Sequence, residues 1–107
     1  MTIIIETKDF NQQLLNDDGL KIVRFCAEWS GPCHIMKPIY NEMFELYKNS
    51  ASFYEIDIDT VPLLKTELGI TELPTILFFQ KGAIIDFIIG LISRESLIEK
   101  LEMLTKE

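Results

Sequence analysis

The residues best suited to chemistry lie in one stretch, EWSGPCHIMKP at residues 28–38. The only sulfur nucleophile in this stretch is Cys33, which stands at the predicted start of a helix. A helix N-terminus offers unpaired backbone donors and the positive end of the helix dipole, and both favour a thiolate over a thiol. Pro32 fits this first turn because it has no backbone donor to lose. The stretch therefore predicts a helix start suited to thiol chemistry.

Ser30 occupies the position where a second sulfur would complete a C-x-x-C pair with Cys33. Its hydroxyl is not acidic enough to ionise there, and no activating base is evident, so we do not expect Ser30 to act as a nucleophile. Serine is among the preferred N-caps and stabilises a helix by about 1 kcal/mol relative to alanine. We therefore expect Ser30 to cap the helix. Cys26 is expected to pack as a small apolar residue, with a disulfide to Cys33 as the alternative.

Length and composition predict one globular domain over residues 1–107, because 48% hydrophobic residues suffice for a single core. Ten basic residues against seventeen acidic ones argue against a nucleic-acid partner. The N-terminal apolar run is too short for a signal peptide or a membrane span, so we expect a cytoplasmic chain without membrane association. One His and two Cys argue against a zinc site. No metal and no cofactor are predicted.

Hydrophobic periodicity predicts the element order βαβαβαββα. Strands are predicted at residues 2–5, 21–27, 52–57, 75–80 and 83–89, and helices at residues 9–16, 31–48, 61–68 and after the N-cap Ser93. Pro38 lies inside the second helix and is expected to kink it. A strand-helix-strand start favours parallel pairing, whereas the tight turn at Lys81 and Gly82 requires an antiparallel pair. We therefore predict an α/β fold in which about four helices flank a central mixed sheet of about five strands.

Several motifs in this order resemble the thioredoxin family over nearly the whole chain. Residues 27–33, AEWSGPC, look like the active-site segment of that family, with Ser in place of the first Cys. Pro38 matches its kinked-helix proline, residues 73–75 match its cis-proline loop, and Gly82 and Gly90 match its two late glycines. The resemblance implies a thioredoxin fold and a role in thiol–disulfide redox homeostasis.

In the thioredoxin family, the first cysteine of the pair attacks a substrate disulfide and the second resolves the mixed disulfide. The resemblance makes Cys33 the resolving thiol and Ser30 the position of the missing attacker, which implies monothiol exchange or weak to absent disulfide reductase activity. The alternative is a non-catalytic module that binds extended peptide segments. The substrate-binding positions implied by the resemblance are Trp29, Gly31, Pro32, Leu73, Pro74, Thr75 and Gly90.

The resemblance also implies the kind of partner that the chain meets. Protein or peptide thiols and disulfides are the expected partners, and a thioredoxin-reductase-type protein or glutathione is the candidate electron donor. We expect the chain to be a monomer.

Arg24 interrupts the second predicted strand, although a central parallel strand is buried on both faces and should be apolar. In the thioredoxin family this position typically carries a buried acid that helps to move the resolving cysteine's proton, and a nearby Lys lies on the neighbouring strand. Here the two positions hold Arg24 and Glu55. We therefore predict a charge-reversed ion pair beneath the site, with an Arg24 that reaches the sheet edge as the alternative.

This charge reversal bears on the chemistry, because Arg stays protonated and cannot act as a general base. A nearby cation instead favours the thiolate form of a cysteine. Arg24, Glu55 and Ser30 together favour a natural lineage that left the dithiol mechanism over a laboratory substitution at Ser30.

Overall fold

The computed structural model describes residues 3–4 and 19–106 of the chain. Its elements are β1 (Ile3–Ile4), β2 (Leu20–Cys26), α1 (Gly31–Tyr47), β3 (Ala51–Asp57), a short 3-10 turn (Ile58–Thr60), α2 (Pro62–Leu68), β4 (Thr75–Gln80), β5 (Ala83–Ile89) and α3 (Arg94–Thr105). The bounds of these strands and of α1 and α2 agree with the predicted bounds to within one residue at each end. The predicted helix at residues 9–16 lies outside the described residues.

The five strands form one mixed sheet in the order β1-β3-β2-β4-β5. β1 and β2 both run parallel to β3, whereas β4 runs antiparallel to β2 and β5 antiparallel to β4. Lys81 and Gly82 join β4 to β5, and both have positive φ, 54° and 79°. A two-residue hairpin turn of this kind needs positive φ at its central residues, which glycine adopts without strain. The predicted mixed sheet is therefore present.

β2 lies at the centre of the sheet, and all seven of its residues are buried. Side chains alternate between the two faces of a strand, so Val23 and Phe25 pack with α2 and the 3-10 turn. Ile22 packs on the opposite face, in the cluster that α1 and α3 share. Arg24 and Cys26 follow Ile22 by two and four residues, so their side chains point to the same face as that of Ile22. Both therefore lie on the face that α1 covers.

α1 runs unbroken from Gly31 to Tyr47 through Pro38 and packs its buried side chains against the sheet. Ser93 caps α3, as predicted, because its side chain accepts a hydrogen bond from the backbone N of Ser96. Within residues 19–106, no helix has the length and apolar character needed to cross a membrane.

Candidate functional site

Ser30 caps α1, as the sequence predicts. Its backbone is extended, with φ −89° and ψ 110°, and its Oγ accepts a hydrogen bond from the backbone N of Cys33 at 3.3 Å. Pro32 occupies the first turn, where its missing N–H removes no helical hydrogen bond. Ser30 is only 5% exposed, so its hydroxyl is held within the helix start. The oxygen therefore has a structural role at the position where the family has its attacking sulfur.

Replacing Ser30 tests this cap. Ser30→Ala is expected to lower the free energy of unfolding by about 1 kcal/mol, because a first-turn N–H loses its acceptor. Ser30→Gly is the matched control and should cost only a few tenths of a kcal/mol, since glycine is itself a tolerated N-cap. Urea denaturation followed by circular dichroism measures both values. Equal losses in the two variants would contradict a capping role.

Cys33 and Cys26 are free thiols, and both are buried, at 2% and 7% exposure. Cys33 lies on the inner side of the first turn of α1, and Cys26 ends β2 on the face that α1 covers. Burial raises the pKa of the Cys26 thiol, and a hydrogen bond with the Cys33 thiol raises it further. The predicted packing of Cys26 in the core is confirmed, and the disulfide alternative is not formed. The two thiols are neighbours nevertheless.

Arg24 and Glu55 form the predicted charge-reversed ion pair. They lie in register on the adjacent parallel strands β2 and β3, and Arg24 Nη1 donates to Glu55 Oε2. The side chains are 3% and 22% exposed, so the cation is the more deeply buried partner. The alternative, in which Arg24 reaches the sheet edge, is wrong.

Arg24 makes two further contacts that the sequence did not predict. Its Nη2 donates to the backbone O of Cys33, and its Cζ lies 5.5 Å from the centroid of the Tyr40 ring. The Tyr40 hydroxyl is held in turn by the backbone, since it donates to the carbonyl of Tyr54 at 2.8 Å. Burial raises the pKa of this hydroxyl, so Tyr40 stays neutral beside the cation. Arg24 is thereby fixed directly under the first turn of α1.

Cys33 and Ser30 line two different recesses. The first, which we call the thiol cavity, has a volume of about 160 Å³ and contains both cysteines. The second, which we call the docking groove, has a volume of about 340 Å³ and contains Ser30. The thiol cavity is lined by Arg24, Cys26, Cys33, His34, Lys37 and Glu55 among others, and the docking groove by Trp29, Ser30, Gly31, Pro32, Lys65 and Leu73 among others. The first turn of α1 separates the two.

Trp29 projects from the rim of the docking groove and is 70% exposed. Its indole Nε1 donates to Asp59 Oδ2 at 2.8 Å, which fixes the ring relative to the 3-10 turn. Gly31, Pro32 and Leu73 line the same groove. The structure therefore brings these four predicted positions together, with Asp59 as a supporting residue that sequence reasoning missed.

The loop before β4 carries the remaining predicted positions. The Leu73–Pro74 peptide bond is cis, and Gly90 N donates to the Pro74 carbonyl at 2.8 Å. Gly90 has φ 83°, a conformation that favours glycine. Thr75 is 4% exposed, and its Oγ1 donates to the Glu72 carbonyl at 2.6 Å, so its side chain braces the loop.

Two apolar side chains beside Gly90 were not predicted as part of this surface. Ile89 and Leu91 are 52% and 55% exposed, and they flank Gly90 on both sides. In the sequence, both residues belong to the apolar run around Gly90. Such a run equally predicts the end of a buried strand. The surface around Gly90 is therefore more apolar than the motif alone indicates.

His34 follows Cys33 and is exposed, with its ring Nε2 2.6 Å from the carbonyl O of Glu28. This contact ties the ring to the loop before α1. No group of three or more potential metal ligands occurs in the part of the chain that the structure describes.

The mixed sheet, the capped α1 and the cis-proline loop beside it define a thioredoxin-fold protein. The chain matches the sequence model of the family named Thioredoxin over residues 1–103. It is 33% identical to a thioredoxin of Pyropia yezoensis over 92 residues, 86% of each chain. It is 34% identical to a thioredoxin of Rickettsia felis over 95 residues, 89% of this chain and 90% of that one.

A third relative is thioredoxin Y2, chloroplastic, of Arabidopsis thaliana, which is 36% identical over 93 residues, 87% of this chain and 56% of that protein. The chain belongs to the thioredoxin family, whose members act on protein thiols and disulfides.

Proposed function

We propose that this chain serves thiol–disulfide redox homeostasis through one site thiol, Cys33, by monothiol exchange. Ser30 supplies a helix cap instead of an attacking sulfur, and within residues 19–106 no side-chain base is hydrogen-bonded to its hydroxyl. Arg24 cannot accept a proton where the family has its acid. Disulfide reductase activity at positions 30 and 33 is therefore weak or absent as the sequence stands.

The setting of Cys33 supports this proposal most directly. Its thiol lies in the first turn of α1, where the helix dipole favours negative charge, and Arg24 Nη2 binds its carbonyl O. Glu55 pairs with Arg24 and holds the guanidinium in place. In this proposal, Arg24 and Glu55 thus control the reactivity of the Cys33 thiol.

Exchange with a small disulfide tests the proposal. In the Cys26→Ala variant, Cys33 is the only thiol of the chain, so hydroxyethyl disulfide should form a mixed disulfide with it and release one mercaptoethanol. The matched control is Cys33→Ala, which keeps only Cys26. Because burial raises the pKa of Cys26, this control should react at least about tenfold more slowly. Intact mass spectrometry over time measures both rates.

The outcome of this exchange experiment also separates the two candidate functions. A Cys33 that reacts in the folded Cys26→Ala variant supports exchange chemistry. A Cys33 that reacts only after unfolding in urea contradicts it and favours a module that binds without chemistry.

The second candidate, a binding module for extended peptide segments, is favoured by the retained docking groove. Trp29 is largely exposed. The adjacent loop, which contains Leu73 and Pro74, is held by the hydrogen bond from Gly90 N to the Pro74 carbonyl, and no sulfur atom takes part in that bond. Extended segments can pair with such a loop through their backbone while side chains contact the groove. The surface does not depend on a cysteine at position 30.

The proposal also covers the compartment and the partners of the protein. Two free thiols suit a reducing compartment such as the cytoplasm. The proposed partners of a monomer there are protein or peptide thiols, with a thioredoxin-reductase-type protein or glutathione as the electron donor.

A further inference from the structure

Cys26 and Cys33 line one cavity as a pair of thiols. Cys26 reaches it from the end of β2, and Cys33 reaches it from the first turn of α1. Both residues are buried and line the same small cavity, and the neighbouring Cys33 contributes to the raised pKa of Cys26. The chain has no other cysteine. Any disulfide within one chain must therefore join these two sulfurs.

Both cysteines are nearly buried, which favours small oxidants over large ones. Cys33 is 2% and Cys26 7% exposed, and the first turn of α1 separates both from the docking groove. The thiol cavity measures about 160 Å³, and on the same measure a cavity needs about 10–15 Å³ to hold one water. A molecule slightly larger than water, such as hydrogen peroxide, fits this space.

Arg24 lines the same cavity and carries a buried hydrogen-bond donor that is unpaired in the described part of the chain. Its Nη1 and Nη2 are used by Glu55 and by the Cys33 carbonyl, whereas its Nε is buried without a hydrogen-bond partner among residues 19–106. Leaving a buried donor unpaired costs about 1–3 kcal/mol. A small shift of the guanidinium would present this donor to a molecule in the cavity. A peroxide oxygen, or the hydroxide that leaves when the O–O bond breaks, is an acceptor that would then satisfy it.

We propose that Cys26 and Cys33 are a redox-active thiol pair that a small hydroperoxide oxidises to an intramolecular disulfide. This inference rests on the proposed function, because it takes Cys33 as the reactive thiol and assigns Cys26 as its resolving partner. In this redox cycle, the sulfur that pairs with Cys33 belongs to Cys26 at the end of β2 and not to a cysteine at position 30.

The reaction balances with hydrogen peroxide as the oxidant. The Cys33 sulfur attacks one peroxide oxygen, the O–O bond breaks, and the leaving hydroxide takes the Cys33 thiol proton to form water. The Cys26 sulfur then attacks the Cys33 sulfenic acid, the S–O bond breaks, and the second hydroxide takes the Cys26 proton. The thiols are oxidised to a disulfide, and the peroxide is reduced to water. A thiol reductant restores the pair.

Mass spectrometry of the peroxide-treated chain tests the pair. The reduced full chain is treated with hydrogen peroxide at neutral pH, its remaining thiols are alkylated, and the intact mass and the cross-linked peptide are determined. We expect a monomer that has lost two hydrogen atoms, carries no alkyl group and is restored by dithiothreitol. In Cys26→Ala, dimedone should trap Cys33 sulfenic acid about tenfold more than in the unsubstituted chain, because no thiol resolves it.

The possible outcomes separate this inference from the proposed function. Disulfide-linked dimers, or equal dimedone trapping with and without Cys26, would overturn the pair. If Cys33 of Cys26→Ala exchanges with hydroxyethyl disulfide but the unsubstituted chain forms no internal disulfide, only this inference is wrong. If neither reaction occurs, both are wrong. Circular dichroism checks that Cys26→Ala folds, and if it does not, the internal disulfide of the unsubstituted chain decides alone.

Discussion

Ser30→Cys is expected to raise dithiothreitol-driven reduction of a protein disulfide by about a hundredfold over the unsubstituted chain. The substitution places a sulfur at the N-terminus of α1 and on the side of the docking groove, where a partner segment can meet it. Cys33 then lies at the spacing that resolves the mixed disulfide in the family. The measurement is the initial rate of disulfide reduction, with Ser30→Ala as the inactive control.

Arg24 limits the rate of disulfide reduction that Ser30→Cys can reach, because Arg24 offers no proton acceptor for the resolving thiol. Adding Arg24→Asp and Glu55→Lys to Ser30→Cys restores the family arrangement and should increase the rate further, since a positioned general base contributes about 10²–10⁴-fold. If Ser30→Cys alone stays inactive and the triple variant is active, Arg24 is the deeper block. If neither variant gains activity, the assignment of position 30 as the missing attacker is wrong.

Glu55→Leu is expected to cost about 3–5 kcal/mol of unfolding free energy, because it leaves the Arg24 cation buried without its partner. Arg24→Met should cost less, since the remaining Glu55 side chain is 22% exposed and keeps contact with water. The double variant Arg24→Met with Glu55→Leu should be more stable than Glu55→Leu alone, because no uncompensated charge remains. Denaturant titration of the four proteins gives the coupling energy.

An exposed ion pair is the control for this double-mutant cycle. Arg94 and Glu42 form a bidentate contact between α3 and α1, but both side chains are more than 40% exposed. Exposed pairs contribute little to stability, so Glu42→Gln should change the unfolding midpoint far less than Glu55→Leu. Additive effects of Arg24→Met and Glu55→Leu would contradict a coupled buried pair.

The sequence predicted those parts of the site that depend on local pattern. Ser30 reads as an N-cap because its type, Pro32 and the following apolar periodicity all indicate a helix start. The pairing of Arg24 with Glu55 was predictable because a charge in a buried central strand requires a partner, and the family places one on the neighbouring strand. Local rules and one well-matched family pattern were sufficient for these features.

The rest of the site depends on how β2 packs under α1, and no local pattern contains that information. Strand alternation places Cys26 and Arg24 on one face, but which face meets Cys33 is known only once α1 is docked. The contact between Arg24 and the Cys33 carbonyl has the same origin. The division into a thiol cavity and a docking groove depends on long-range packing as well, and residues far apart in sequence line each recess.

The first turn of α1 also couples the two recesses it separates. The Ser30 hydroxyl on the groove side is bonded to the backbone N of Cys33, whose sulfur lies on the cavity side. If the proposed disulfide forms and moves the Cys33 sulfur towards Cys26, the hydrogen bond between Cys33 N and Ser30 Oγ, at the wall of the docking groove, should change with it. By thermodynamic linkage, a ligand that binds the reduced form tenfold more tightly makes the pair tenfold harder to oxidise, about 1.4 kcal/mol. With such a difference in affinity, a partner bound in the docking groove would protect the thiols from oxidation without contacting them.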